Sequence, residues 1–188
     1  MIEVRWHGRG GQGAFTAARL LGAAASLYQG QQAMAFPSFG PERRGAPVLA
    51  FTKIDSQVIS DRTAIQNCDY IIILDETLFK ENYLKDLKPG GLLLINSGKS
   101  EFYTQYHNVI PVDAGKVAHE IIKRPITNTG MLGALAGLSE HIISLSALEK
   151  AAEGFFRASV LEKNLQIMER TFALAKEVNH EKALSARL

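Results

Sequence analysis

Cysteine is almost absent from this chain: Cys68 is the only one among 188 residues. A lone cysteine forms no internal disulfide and cannot hold an iron–sulfur cluster or a structural zinc, each of which needs several clustered ligands. Cys68 is therefore expected to be a packing residue, as free cysteines usually are. Long apolar runs are missing too. Residues 70–74 and 92–95 are the longest, far short of the ~20 needed to cross a bilayer, so no membrane association is expected. Nor is there a strong charge of either sign: 21 basic and 19 acidic residues leave a net charge of +2, which offers no general attraction for nucleic acid. The first residues, Ile2-Glu3-Val4-Arg5-Trp6, alternate like a strand and carry neither the apolar core nor the cleavage site of a signal peptide, so a cytoplasmic location is expected.

What is present is ordinary for a globular protein, 46% hydrophobic and 21% charged, and the length suits one domain over residues 1–188. The bases are unevenly spread. Up to Arg62 there are seven (Arg5, Arg9, Arg19, Arg43, Arg44, Lys53, Arg62) against four acids (Glu3, Glu42, Asp55, Asp61). This mildly basic third also contains the glycine-rich turn of greatest interest.

Hydrophobic periodicity predicts a Rossmann-like α/β fold: a mixed, mostly parallel sheet flanked by helices, with an inserted hairpin and a helical C-terminal segment. A strand over residues 3–6 runs into Gly8-Arg9-Gly10-Gly11-Gln12-Gly13 and then an Ala/Leu-rich helix over 14–28. A second strand, 31–36, leads to a loop over 37–47, long enough to suggest function. Residues 48–53 and 57–60 alternate around Ile54-Asp55-Ser56 and predict the hairpin. Then come a buried central strand at 70–74, a helix over 77–87 stopped by Pro89-Gly90-Gly91, strands at 92–95 and 108–112, and a helix from Asp113 to about residue 123. Thr127 or Asn128 is the expected cap of a helix whose Gly130, Gly133, Ala134 and Gly137 form one small-residue face, and Ser146 with Glu149 suggests a capping box for the next. The last helix is expected over 160–178.

Gly8, Gly10 and Gly13 fit G-x-G-x-x-G between a strand and a helix, where glycine lets the backbone approach a phosphate and helix N–H groups face it. A dinucleotide site also needs an acid about 20 residues on, for the ribose hydroxyls. Ala33-Met34-Ala35-Phe36 supplies none, which disfavours an NAD or FAD enzyme. A tightly packed turn, or a site for another phosphate-bearing ligand, remains. Arg43 and Arg44 lie in a loop stiffened by prolines and glycines, and either clamp a phosphate or form an ion pair with Glu42 or a neighbouring subunit. Gly98-Lys99-Ser100 only imitates a Walker A loop, because its first glycine position is Leu93. His119-Glu120 lacks the second histidine of a helical zinc site, and Ser38 lacks the preceding glycine of a nucleophile elbow.

Taken together, Gly8-Arg9-Gly10-Gly11-Gln12-Gly13, Thr16-Ala17-Ala18, the signature Phe36-Pro37-Ser38-Phe39-Gly40-Pro41-Glu42-Arg43-Arg44-Gly45-Ala46-Pro47-Val48 and Asn128-Thr129-Gly130-Met131-Leu132-Gly133-Ala134-Leu135 resemble the gamma subunit of 2-oxoacid:ferredoxin oxidoreductases. The resemblance implies an enzyme complex that decarboxylates a 2-oxoacid on thiamine diphosphate, passes two electrons through iron–sulfur clusters to ferredoxin and transfers the acyl group to coenzyme A, some members running in reverse as synthases. Thiamine diphosphate and iron–sulfur clusters are then expected in alpha, beta and delta-type partner subunits, since this chain has neither clustered cysteines nor the Gly-Asp-Gly signature of a thiamine site, and the isolated chain is expected to be inactive. The implied role is to cover the thiamine site and to take part in binding coenzyme A, for which Gly10, Gly11, Gln12, Gly13, Arg43 and Arg44 are the candidate residues; no catalytic or metal-binding residue is assigned. The Pro-Glu-Arg-Arg-Gly-Ala-Pro form of the loop looks like pyruvate and branched-chain types, with pyruvate the first choice, whereas 2-oxoglutarate enzymes more often differ at the position of Arg43. A purely structural assembly subunit is the alternative.

Overall fold

A computed structural model describes residues 1–38 and 44–185. Six strands form one sheet in the order β2-β3-β1-β4-β5-β6: β1 (Ile2–Arg9), β2 (Gln32–Pro37), β3 (Pro47–Asp55), β4 (Cys68–Ile73), β5 (Leu87–Asn96) and β6 (Val109–Val112). The sheet is mixed, as expected. β1, β4, β5 and β6 run parallel, while β3 runs antiparallel to both of its neighbours, β1 and β2. Among the described residues five α-helices accompany it: α1 (Ala14–Tyr28), α2 (Ala114–Ile122), α3 (Asn128–Leu138), α4 (Leu145–Glu153) and α5 (Ala158–Ser185). The main core lies between one face of the sheet and α1, α3, α4 and α5; the other face is covered by short 3-10 turns and irregular chain around Phe51, Ile71, Ile73, Leu93 and Tyr103.

α3 is buried over almost its whole length, as befits a helix that is apolar nearly all round. The predicted small-residue face is what lets α5 lie against it: a Cβ on Gly133 would collide with the Met168 carbonyl oxygen, and one on Gly137 with that of Phe172. Cys68 is fully buried, and burial pushes its thiol up to about 11, in keeping with a packing role.

Several local expectations are corrected. Residues 57–60 form no strand, because β1 and β2 already occupy both edges of β3; the Asp55 carboxylate instead accepts from Gln57 N at 3.0 Å and turns the chain away. The antiparallel hairpin is β2–β3. Residues 77–87 make two 3-10 turns, Glu76–Leu78 and Glu81–Asp86, instead of a helix. Pro89-Gly90-Gly91 is no helix stop but an irregularity inside β5, where the register shifts opposite Cys68 and Tyr70 and Gly90 takes φ 79°. A Cβ on Gly91 would press on the Cys68 carbonyl oxygen at 2.9 Å. Ser144, not Ser146, caps α4, accepting from Ala147 N at 3.2 Å.

The alternation of β1 holds, but both of its faces are buried. Val4 and Trp6 enter the helical core, and a polar chain runs from Trp6 Nε1 to Thr52 Oγ1 (3.1 Å) and from that hydroxyl to the Ala18 carbonyl (3.0 Å). On the other face Arg5 and His7 are 7% and 5% exposed under the β4–β5 connection. Arg5 Nη2 pairs with Asp86 at 2.6 Å, and its Nε donates to His7 Nε2 at 3.1 Å, which leaves the imidazole proton on Nδ1. Burial, then the nearby charges of Arg5 and Lys80, lower the His7 pKa from 6.5 to about 3.

Two outcomes follow from this packing. Gly133→Ala should destabilise the chain by about 3 kcal/mol or more, because the obstacle is helix backbone, as read by urea denaturation. His7 binds a proton when unfolded but not when folded, so it contributes stability above pH 6.5 that is lost as the pH falls towards 3, roughly 3 to 5 kcal/mol in all. His7→Gln, which keeps an acceptor for Arg5, should flatten that acid limb; an unchanged slope of urea midpoint against pH would exclude this role.

Candidate functional site

The C-terminal ends of β1, β4, β5 and β6 meet at one edge of the sheet, where parallel α/β sheets bind their ligands. The glycine turn leaves β1 here. Gly11 and Gly13 take φ 96° and 79°, a left-handed conformation that favours glycine. Gly13 is the N-cap of α1, with no side chain capping it, and none of the described residues accepts from the N–H groups of Ala14, Phe15 or Thr16. Such a helix end presents donors and a partial positive charge to an anion.

The turn is held in shape by Arg9, Gln12 and Asp75. Gln12 Oε1 accepts from Arg9 N (2.7 Å), and its amide donates to Asp75 Oδ2 (3.1 Å). Arg9 Nε pairs with the same oxygen at 2.9 Å, while its other nitrogens donate to Thr77 Oγ1 and the Gly45 carbonyl. Burial pushes the Asp75 carboxyl up, but hydrogen bonds from Thr77, Gln12 and Arg9 together outweigh it and hold the group below its usual range. Gln12 thus serves as a brace of the turn, and its side chain is spent on that task. Sequence reasoning assigned no such role to Asp75; its signal was an acid directly after the Ile-rich central strand.

Arg44 comes to the same place. Gly10 N donates to the Ala46 carbonyl (2.8 Å), Gly45 N donates to the Gly10 carbonyl (3.0 Å), and Gly10 and Arg44 form a parallel bridge. Among the described residues no carboxylate pairs with the exposed Arg44. Arg43 and Glu42 lie outside the described residues. The structure therefore brings together Gly10, Gly11, Gln12, Gly13 and Arg44 of the expected set.

Beside the turn is a cleft of about 400 Å³, lined by Gln12, Asp75, Glu76, Asn96, Ser97 and Lys99 among others. Its polar groups are largely engaged with one another. Asn96 bridges the Leu74 carbonyl (3.1 Å) and Gly115 N (2.9 Å), and Glu76 takes both Ser97 Oγ and Lys99 Nζ, which hold its carboxyl below the usual range. Lys99, from the false Walker sequence, so lies at the edge of the site without forming a phosphate loop. His119 and Glu120 are exposed on α2, with Glu120 paired to Arg170 at 2.8 Å. Among the described residues no cluster of three His, Cys, Asp or Glu side chains could hold a metal, and no helix is long and apolar enough to cross a membrane.

The two left-handed glycines should respond differently to substitution. Gly11 has open space around its missing Cβ, so Gly11→Ala should cost only the backbone strain, about 1 kcal/mol. In Gly13→Ala the new methyl would also lie 2.5 Å from Asn128 Nδ2, and the loss should be about 2 kcal/mol or more. Urea denaturation of the two variants reads the difference; equal losses would mean that Asn128 does not press on the turn.

Comparison with known proteins shows the family. The family model described as "Pyruvate ferredoxin/flavodoxin oxidoreductase" matches residues 3–174. The chain is 44% identical over 170 residues to pyruvate synthase subunit PorC of Methanocaldococcus jannaschii, covering 90% of this chain and 94% of that one. It is 41% identical to the pyruvate/ketoisovalerate oxidoreductases common subunit gamma of Thermococcus kodakarensis, covering 92% and 96%. The crystal structure of pyruvate oxidoreductase subunit PORC from Thermotoga maritima superposes with a TM-score of 0.79 at 38% identity, covering 92% and 95%. Matched by the family model over residues 3–174 and by these subunits over about nine-tenths of its length, the chain belongs to the pyruvate ferredoxin/flavodoxin oxidoreductase family, in its gamma-subunit type.

Proposed function

We propose that this chain serves, with alpha, beta and delta-type subunits, in a pyruvate:ferredoxin oxidoreductase that forms acetyl-CoA, CO2 and reduced ferredoxin, and that its own part is to close over the partner's thiamine site and hold phosphate groups of coenzyme A. The observation that carries this is the juxtaposition of Arg44 with the uncapped N-terminus of α1. Coenzyme A is polyanionic. The free N–H groups after Gly13 can each donate to a phosphate oxygen, and Arg44, with Arg43 beside it in sequence, can add charge-assisted hydrogen bonds. Arg9, by contrast, is consumed by Asp75, so it positions the turn instead of binding the ligand.

The thiamine diphosphate supplies the carbanion chemistry and the iron–sulfur clusters carry the electrons; both are assigned to partner subunits. What this chain adds is binding, orientation and exclusion of water around the acyl transfer. The gamma subunit of Thermococcus kodakarensis is named as common to pyruvate and ketoisovalerate enzymes. By analogy the choice of 2-oxoacid would rest with partner subunits, and a branched-chain 2-oxoacid is the second choice of substrate. If the chain is instead a structural subunit only, Arg44 pairs with an acid on a neighbour.

One substitution separates these roles. Arg44→Ala in the assembled complex should raise the KM for coenzyme A by about tenfold or more, leave the KM for pyruvate within about twofold, and leave the subunit composition intact. Loss of assembly, or an unchanged KM for coenzyme A, would exclude the phosphate clamp. Dye reduction by the purified complex with pyruvate, 2-oxoisovalerate and 2-oxoglutarate, each with coenzyme A, should be fastest with pyruvate.

A further inference from the structure

An apolar band leaves the glycine turn along the helical side of the molecule. It starts at Phe15, the second residue of α1, which is 38% exposed. Arg19, one helical turn on, stands over the Phe15 ring at 5.9 Å from its centroid and over the Phe155 ring, just past α4, at 5.4 Å. Phe156 carries the band into a cavity of about 410 Å³ whose wall includes Ile126 and Val160, 40% and 45% exposed. Cavity and turn are neighbours: Asn128 is among the residues lining the cavity, and its amide packs on Gly13. Thr127, the expected cap of the helix that begins there, instead donates its hydroxyl to the Leu74 carbonyl at 3.4 Å, and no side chain caps α3.

Large apolar side chains left exposed in one continuous band mark an interaction surface. The band passes from α1 over the end of α4 to α5, a spread that suits a protein partner better than a small molecule. Arg19 is already held between two aromatic rings, so it has less freedom to lose on association, and aromatic residues and arginine dominate the energetics of protein interfaces. Charge says what the partner carries. Arg19 on the band and Arg124 and Lys163 at the cavity are exposed, and among the described residues no carboxylate pairs with any of them. Across a two-fold axis a second copy of this chain would bring the same bases against themselves, which is unfavourable, whereas carboxylates around an apolar patch would match them.

We propose that this band is the docking surface for the partner subunit that meets the glycine turn, and that the partner covers it with an apolar patch ringed by carboxylates. The assignment rests on the proposed function, in which a partner's thiamine site adjoins the turn; it adds which face of this chain carries the contact and what chemistry recognises it. Phe15 and Arg19 anchor the contact beside the turn, and Ile126 and Val160 anchor its far end.

The test is photo-crosslinking in the assembled complex, with p-benzoylphenylalanine placed at position 15 or 160. Both positions should crosslink to one and the same subunit, the one that holds thiamine diphosphate. Phe15→Glu with Val160→Glu puts carboxylates in the first turns of α1 and α5, where helices tolerate them. This double variant should keep the urea midpoint of the free chain and weaken its association with that subunit by about tenfold or more. Assembly of the unaltered chain should weaken with added salt, and Arg19→Gln with Arg124→Gln and Lys163→Gln should lessen that dependence. Crosslinks to a second copy of this chain or to a subunit without thiamine, no crosslinks at all, or full association of the double variant would each overturn the proposal. A complex with no thiamine-dependent subunit would overturn the proposed function along with it. If that subunit is present and Arg44→Ala raises the KM for coenzyme A while positions 15 and 160 crosslink elsewhere, the docking surface alone is wrong.

Discussion

β1 pairs antiparallel with β3 on one side and parallel with β4 on the other, and the geometry of the candidate site depends on that double pairing. The parallel partner puts the end of β4, with Asp75 just beyond it, next to the end of β1. The antiparallel partner puts the beginning of β3 there as well, with Arg9 opposite Pro47. The segment that precedes β3, carrying Arg44, is therefore delivered to the glycine turn by backbone pairing alone. Had β3 run parallel, its first residues would lie at the opposite edge of the sheet.

That pairing is held by desolvated groups on both faces of β1. Trp6 fills the helical side and is tied through Thr52 to α1, so the strand, its antiparallel neighbour and the helix that follows the turn move as one. On the other face Arg5 and a neutral His7 are sealed under the β4–β5 connection by Asp86 and by Tyr83, whose ring centroid lies 4.5 Å from that of His7. Arg5 is the buried member of its ion pair while Asp86 is partly exposed, so removing Asp86 would strand a desolvated guanidinium. Farther out, Lys53, 1% exposed, is met at 2.5 Å by Asp61, and that hydrogen bond is the largest influence holding the Asp61 carboxyl down to about 2.

Much of the fold was legible because its local signals and its tertiary packing agree. The glycine turn, the Ile-rich β4, the start of α2 at Asp113 and the small-residue face of α3 all read from sequence and all lie where expected. The errors arose where pairing overrode local pattern. Residues 57–60 alternate like a strand but find no free edge, and Pro89-Gly90-Gly91 resembles a helix stop yet sits inside β5, where a side chain at Gly91 would meet the β4 backbone. Ser146 and Ser144 are equally good caps by composition; Ser144 N also bonds Gln29 Oε1 at 2.8 Å, a contact that is remote in sequence.

The sequence by itself determined the strand–turn–helix around Gly8 to Gly13, the lack of cysteines for a cluster, and a signature loop specific enough to indicate the gamma-subunit family, because each is a local property of residue type and spacing. Only the tertiary structure decided that Arg9 is spent on Asp75 while Arg44 is free of carboxylates among the described residues, and that Asn128 lies buried against Gly13 with its Oδ1 unpaired. The reason is physical: whether an arginine or an amide is available to a ligand depends on which partners the folded chain places within hydrogen-bond distance. For these groups the nearest neighbours come from strands and helices tens of residues away.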